Sequence, residues 1–239
     1  MTRLGVVTIG QAPRIDLTPE LSRWLPGVEL VERGVLDAMS AEALATMGPA
    51  DDDHVLTTRL ADGGSIEIGE RQVQERLPGV LAALEAEVDA VFLACTGPFD
   101  ALPHTKPLFV PDALIALGTA ALATAVGGAG SARVGVVCPL PAQQDFTVAK
   151  FARRLAGQHV LTAPSSPYTG TDATLADAAR CLLEGGAELI ALDCIGYTEH
   201  MRRVVAAATG LPVVLARSVA ARLAAEVLDG LRTATAIAR

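Results

Sequence analysis

The chain has 239 residues, with 51% hydrophobic and 19% charged. That composition supports a sizeable core and excludes wholesale disorder. Nineteen Lys and Arg against 27 Asp and Glu give a net charge of −8, and aromatics are only 3%. With no basic stripe and few stacking side chains, a nucleic-acid role is not expected.

The opening Met1-Thr2-Arg3 runs directly into a short apolar strand. This predicts no secretory leader and a reducing, cytoplasmic location, in which the four cysteines stay unpaired. Leu4 to Ile9 is the first predicted strand, closed by Gly10. Thr18-Pro19-Glu20 predicts a helix with Thr18 as its N-cap. Val28 to Val31 is a second strand, and Ser40-Ala41-Glu42 opens a second helix. His54 to Arg59 and Ser65 to Ile68 flank Asp62-Gly63-Gly64, which predicts a β-hairpin. Glu70 to Glu87 is a helix and Ala90 to Ala94 a buried strand. No apolar run has the length of a membrane span, and the Ala-rich stretch Ala113 to Ala129 is expected to form a buried helix.

After Gly127-Gly128-Ala129-Gly130, a flexible link, the pattern restarts. Strands are predicted at Arg133 to Val137, His159 to Ala163, Leu189 to Leu192 and Pro212 to Leu215. Helices are predicted at Ala142 to Leu155, Asp172 to Glu184, Glu199 to Ala208 and Ser218 to Leu228. The alternation argues for an α/β fold with mainly parallel sheets flanked by helices. The expected boundary puts residues 1–128 in one lobe, with the hairpin as an insertion, and 129–239 in the other. Residues near the C-terminus are candidates to pack back onto the first lobe.

An internal repeat supports two halves. Gly5-Val6-Val7 recurs as Gly135-Val136-Val137, and the strand ending in Cys95 recurs as the strand ending in Cys194. Each cysteine is followed two residues later by glycine. Ligands of open parallel sheets bind beyond the carboxyl ends of the strands. Three loops there stand out: Thr8 to Arg14, Cys95-Thr96-Gly97-Pro98, and Cys194-Ile195-Gly196-Tyr197-Thr198.

A cysteine exchanges between thiol and thiolate near physiological pH, which suits proton transfer at carbon. A strand-to-helix corner surrounds it with N–H groups that favour negative charge on sulfur or on a bound carboxylate. Two such corners facing each other would set one sulfur on each face of a planar carbanion. Backbone N–H groups around Thr96-Gly97 and Ile195-Gly196 would hold the substrate carboxylate. Thr8, Gln11 and Arg14 are candidates to shape specificity, Arg14 by pairing with a second carboxylate. Equally, Arg14 could serve as a cap after Pro13, Thr8 and Gln11 as turn formers. Tyr197 would bond the ligand or roof the cleft.

On these residues the chain resembles the AroM family. The likeness lies in Gly5-Val6-Val7-Thr8-Ile9-Gly10-Gln11-Ala12-Pro13-Arg14, the segment around Cys95, Leu192-Asp193-Cys194-Ile195-Gly196-Tyr197, and the tail Ser218 to Glu226. More distantly it is similar to the aspartate/glutamate/hydantoin racemase superfamily. That resemblance implies two pseudo-symmetric α/β lobes, a cleft site and cofactor-independent chemistry through two cysteines, matched here by Cys95 and Cys194. A homodimer is the superfamily's default. The motifs depart from the racemases' usual Cys-Asn-Thr and Gly-Cys-Thr, and the Asp-Ser pair of glutamate racemases is absent from the first loop. Single-cysteine arylmalonate decarboxylases of the same superfamily carry the scaffold to loss of CO₂.

Other residues have plainer readings. Cys138 is assigned to the core or to support of the site, and Cys181 to helix packing. Asp193 either tunes Cys194 or ties down its loop. Glu199 is a first-turn acid, His200 a solvated helix residue, and Asp51-Asp52-Asp53 a solvated turn. No Gly-x-Gly-x-x-Gly or Walker pattern follows a strand, and no Cys-x-x-Cys spacing suggests zinc. The two lysines, Lys106 and Lys150, have no Schiff-base context, so pyridoxal phosphate is not expected. The expectation is a cofactor-independent racemase or isomerase acting beside a carboxylate of a small acid, without metal, nucleic acid or membrane. The alternatives are a single-cysteine decarboxylase or lyase and a non-catalytic small-carboxylate binding or regulatory protein.

Overall fold

The structure is a computed structural model and describes residues 2–99, 101–127, 131–155 and 159–237. The chain divides into two compact units: Met1–Pro111 together with Ala220–Arg239, and Asp112–Val219. The glycine-rich link suggested residue 128 instead, and residues 128–130 lie outside the described residues.

In the first unit, β1 (Thr2–Thr8) is flanked in parallel by β2 (Val28–Gly34) and β5 (Ala90–Ala94). A two-residue strand, β6 (Leu108–Phe109), pairs in parallel with β5 and completes the order β2-β1-β5-β6. Two residues are too few to show a periodicity, and only their pairing with β5 makes them a strand. β3 (Val55–Arg59) and β4 (Ser65–Gly69) form the antiparallel hairpin outside the main sheet.

This unit holds α1 (Thr18–Trp24), α2 (Ala41–Leu44) and α3 (Glu70–Glu85), together with the part of the last helix from Ala220 onward. α3 buries Val73, Leu77, Leu81 and Leu84 along one stripe, as helical spacing of its apolar residues requires. Ser40 caps α2 by accepting the Ala43 N–H. At α1 the expected Thr18 cap is not formed. The cap position is Leu17, because the Arg14 carbonyl accepts the N–H groups of both Leu17 and Thr18 and starts the helix one residue early.

The second unit repeats the plan. β7 (Val134–Cys138) lies between β8 (Leu161–Pro164) and β9 (Leu189–Leu192), and β10 (Val213–Leu215) adds to β9, all in parallel. Its order β8-β7-β9-β10 is that of the first sheet, strand for strand. The repeated Gly-Val-Val has a packing cause. A Cβ on Gly5 would lie 2.5 Å from Leu84 of α3, and one on Gly135 would lie 3.0 Å from Leu182 of α6 (Asp172–Glu184). In each unit the helix before the cysteine-bearing strand thus presses on the central strand.

The remaining helices are α4 (Pro111–Val126), α5 (Gln144–Ala152), α7 (Glu199–Thr209) and α8 (Ala216–Ile237). A 3-10 turn at Pro141–Gln143 precedes α5, so the single helix expected from Ala142 to Leu155 is shorter. α4 is not the fully buried helix its composition suggested: Leu117, Leu122 and Val126 are exposed. No helix among the described residues is long and apolar enough to cross a membrane.

Glu85, at the end of α3, accepts the N–H groups of Thr105 and Lys106 and the Thr105 hydroxyl, at 2.8, 2.9 and 2.8 Å. The Lys106 N–H holds its carboxyl below the ordinary value, against the opposing effect of burial and with help from Thr105. A depressed folded pKa stabilises the fold above the unfolded value of about 4.3, and that contribution is lost as pH falls through the folded value. Glu85→Gln is therefore expected to flatten the acid limb of the stability–pH curve while leaving its shape near neutrality unchanged. Urea midpoints measured from pH 3 to 7 check this.

Candidate active-site loops

The register sets the first thiol loop beside the first glycine loop, because Thr8 of β1 pairs with Ala94 of β5 and Cys95 follows. Cys95 is buried, and its Sγ accepts the Gly97 N–H at 3.2 Å. In the second unit Cys194, also buried, accepts the Gly196 N–H at 3.3 Å. The two strand ends thus form the same turn, in which an N–H stabilises charge on sulfur more than it stabilises the neutral thiol. The glycines are needed for close approach. A Cβ on Gly97 would lie 2.7 Å from Leu56, and one on Gly196 would lie 2.7 Å from the ring and hydroxyl of Tyr168.

In the first loop Arg14 is buried, and its guanidinium grips both oxygens of Asp16 at 2.8 Å while Nη1 donates to the Thr8 hydroxyl at 2.9 Å. Gln11 clamps two segments: Nε2 donates to Leu36 O at 3.2 Å and Oε1 accepts the Ala61 N–H at 3.0 Å. Asp37, which the sequence reading did not single out, accepts the N–H groups of Ala12 and Gly34 at 2.8 and 2.7 Å. The structure therefore places Thr8, Gln11 and Arg14 in one bonded loop beside β5, with Arg14 engaged by an internal carboxylate. Thr96 is buried between Cys95 and Gly97.

The second loop is built on buried charge. Lys150 of α5 reaches Asp193 at 2.8 and 3.0 Å and Asp112 of α4 at 2.8 Å. Burial opposes the Lys150 charge, but the two carboxylates outweigh it and hold the ammonium protonated above its ordinary range. Arg217, at the start of α8 and fully buried, donates to Ile195 O at 2.9 and 2.7 Å and to Gly196 O at 3.0 Å. Tyr197 is fully buried and donates its hydroxyl to Ser165 O at 2.5 Å. Burial, then the neighbouring thiols of Cys194 and Cys138, pushes that phenol well above its ordinary value, so it remains a donor.

Cys138 ends β7 where Thr8 ends β1. Burial and the Asp193 charge push its thiol up to about 12, which keeps it un-ionised and inert. Cys181 is exposed on α6, and His200 bonds Asp172 at 2.8 Å on the surface. Among the described residues no group of three or more His, Cys, Asp or Glu is placed to hold a metal ion.

Lys150, Asp112, Arg217 and Tyr168 were missed by the sequence reading. The available signal was rarity: Lys150 is one of two lysines and Tyr168 one of two tyrosines. Arg217 lies two residues past the end of an apolar strand, where a charged residue needs an internal partner.

Two α/β units share one strand order, and each ends its third strand in a thiol turn. The sequence matches the AroM protein family over residues 4–228, and the chain belongs to that family. The fold is similar to glutamate racemase from Francisella tularensis subsp. tularensis SCHU S4 in complex with D-glutamate, at TM-score 0.61 and 12% identity over 97% of this chain and 82% of that one. A glutamate racemase isoform from Bacillus anthracis matches at TM-score 0.65 and 13% identity, over 96% of this chain and 82% of that one. Allantoin racemase from Klebsiella pneumoniae matches at TM-score 0.55 and 19% identity, over 97% of this chain and 89% of that one. No curated protein matches the sequence.

Proposed function

We propose that the protein is a cofactor-independent racemase or isomerase acting at a carbon beside a carboxylate of a small acid. The carrying observation is the matched pair of turns, with Gly97 N–H on Cys95 Sγ and Gly196 N–H on Cys194 Sγ. In this reading one sulfur, as thiolate, takes the Cα proton, and the C–H pair passes into the adjacent carboxylate. The other sulfur, as thiol, delivers a proton to the opposite face and becomes the thiolate. Atoms and charge balance without an external oxidant or cofactor. Backbone N–H groups of Thr96 and Ile195 receive the substrate carboxylate, whose charge grows in the transition state, while those of Gly97 and Gly196 serve the sulfurs. Thiols of this kind fit a reducing, cytoplasmic setting.

The test is deuterium incorporation from D₂O into a panel of α-amino, α-hydroxy and aryl-malonic-type acids, followed by mass spectrometry. The wild type is expected to exchange at least one acid, and Cys95→Ser and Cys194→Ser to lose about 10³-fold in rate. Exchange that survives in Cys194→Ser rejects the assignment.

A second reading is favoured by the greater elaboration of the Cys194 loop, held by Lys150, Arg217 and Tyr197. Cys194 alone would reprotonate a carbanion left when a C–C bond breaks and CO₂ departs, its thiolate then regaining a proton from water. This predicts CO₂ release that persists in Cys95→Ala and stops in Cys194→Ala.

A further inference from the structure

The two thiol turns match in strand position, in the glycine two residues on and in the N–H aimed at sulfur. They differ in the residue before the cysteine: Ala94 in one, Asp193 in the other. Ala94 is a small core side chain at the end of β5. Asp193 is buried and brings Lys150 and Asp112 with it, so one ammonium lies between two carboxylates and the group keeps one net negative charge.

A buried ion pair is weak evidence for stability, since desolvation offsets most of its Coulomb attraction. A well-packed apolar pair would hold the same elements together. The charges act, however, on groups around them: the Asp193 charge is felt at Cys138 and at Tyr197, and the thiol of Cys194 is felt at both.

We propose that Lys150, Asp193 and Asp112 are positioning residues that set the charge state of Cys194 and make the two thiols unequal partners. The proposal rests on the thiol chemistry above and deepens it. Arg217 of α8 fixes the loop through the carbonyls of Ile195 and Gly196, and Tyr197 remains a phenol bonded to Ser165 O. Cys138 of β7 remains a thiol, and Tyr168 covers Gly196. Glu199 pairs with Arg202, and His200 with Asp172, on the surface of α7. Changing one charge in the buried group therefore changes the field at Cys194 with a known sign. Loss of the ammonium leaves the carboxylates unbalanced and disfavours the thiolate; loss of a carboxylate favours it.

The test titrates the intact chain labelled with ¹³Cβ-cysteine by NMR, with the four resonances assigned through single Cys→Ala variants. No substrate is required. Lys150→Met is expected to raise the Cys194 midpoint by about one pH unit and Asp112→Asn to lower it by about half a unit, with any shift at Cys95 clearly smaller. Lys150→Arg, which keeps the charge, is expected to restore the wild-type midpoint. A loop merely loosened by mutation would not give shifts of opposite sign. Shifts of the same sign, no shift at Cys194, or a Cys95 midpoint that moves as far as that of Cys194 overturns the proposal. Should Lys150→Met fail to fold, Asp112→Asn decides the matter alone, because its side chain is 26% exposed and tolerates neutralisation; a midpoint that does not fall overturns the proposal. Opposite shifts without any deuterium exchange in the substrate panel would sustain this electrostatic control and defeat the racemase reading, so the two fail separately.

Discussion

Replacing Arg217 by methionine is expected to destabilise the protein by about 3 kcal/mol and to release the Cys194 turn. The guanidinium is fully buried and makes three hydrogen bonds to two carbonyl oxygens, those of Ile195 and Gly196. Methionine fills comparable space and donates nothing. Two buried carbonyls then lose charged donors, and each unsatisfied acceptor costs about 1–3 kcal/mol. The functional consequence follows from geometry. Ile195 and Gly196 lie between Cys194 and Tyr197, and the Gly196 N–H reaches the sulfur only while this turn is held. Amide hydrogen exchange at Gly196 is expected to accelerate more than exchange in β7, and urea melts give the global loss. Arg217→Lys keeps the charge but not the fork, so it should recover only part of the stability. Equal acceleration throughout the second unit would show that Arg217 supports the unit generally and not this turn.

Gly10→Ala is expected to be the most damaging small substitution in the first unit. A Cβ there would collide with the Arg59 carbonyl oxygen and lie 2.5 Å from the Thr58 hydroxyl. The obstacle is backbone of β3, and the same carbonyl accepts the Gln11 N–H at 3.1 Å. No flexible side chain can move aside, so the loop must leave the hairpin and give up that bond. Overpacking of this kind costs about 3 kcal/mol. Gly79→Ala is the control: its Cβ would meet nothing within 4 Å, in the middle of α3. It should stabilise by about 0.5–1 kcal/mol through helix propensity. Thermal melts of the two variants should therefore move in opposite directions.

Much of the fold was legible without coordinates. β9 and α6 lie where buried apolar runs and helical spacing put them, and the β3–β4 hairpin forms around Asp62-Gly63-Gly64. These elements depend on neighbours in the chain, whose periodicity and turn chemistry the sequence displays directly. β6 and the start of α1 were not legible, since the first exists only through its pairing with β5 and the second through the Arg14 carbonyl. The apolar content of α4 pointed to burial, but composition does not say which face a sheet covers, and Leu117 stays exposed.

At the candidate site the sequence by itself marked two cysteines at repeated strand ends, each with glycine two residues on. Only the tertiary structure decided their surroundings. Lys150 looked unremarkable in a helix until α4, α5 and the end of β9 brought Asp112 and Asp193 to its ammonium. Arg14 had a ligand-pairing and a capping reading, and the structure adds that Asp16 and Thr8 lie on its guanidinium. The physical reason is that charge pairing and carbonyl capture depend on side-chain distances across elements, which no local pattern encodes, whereas strand ends and tight turns are written in consecutive residues.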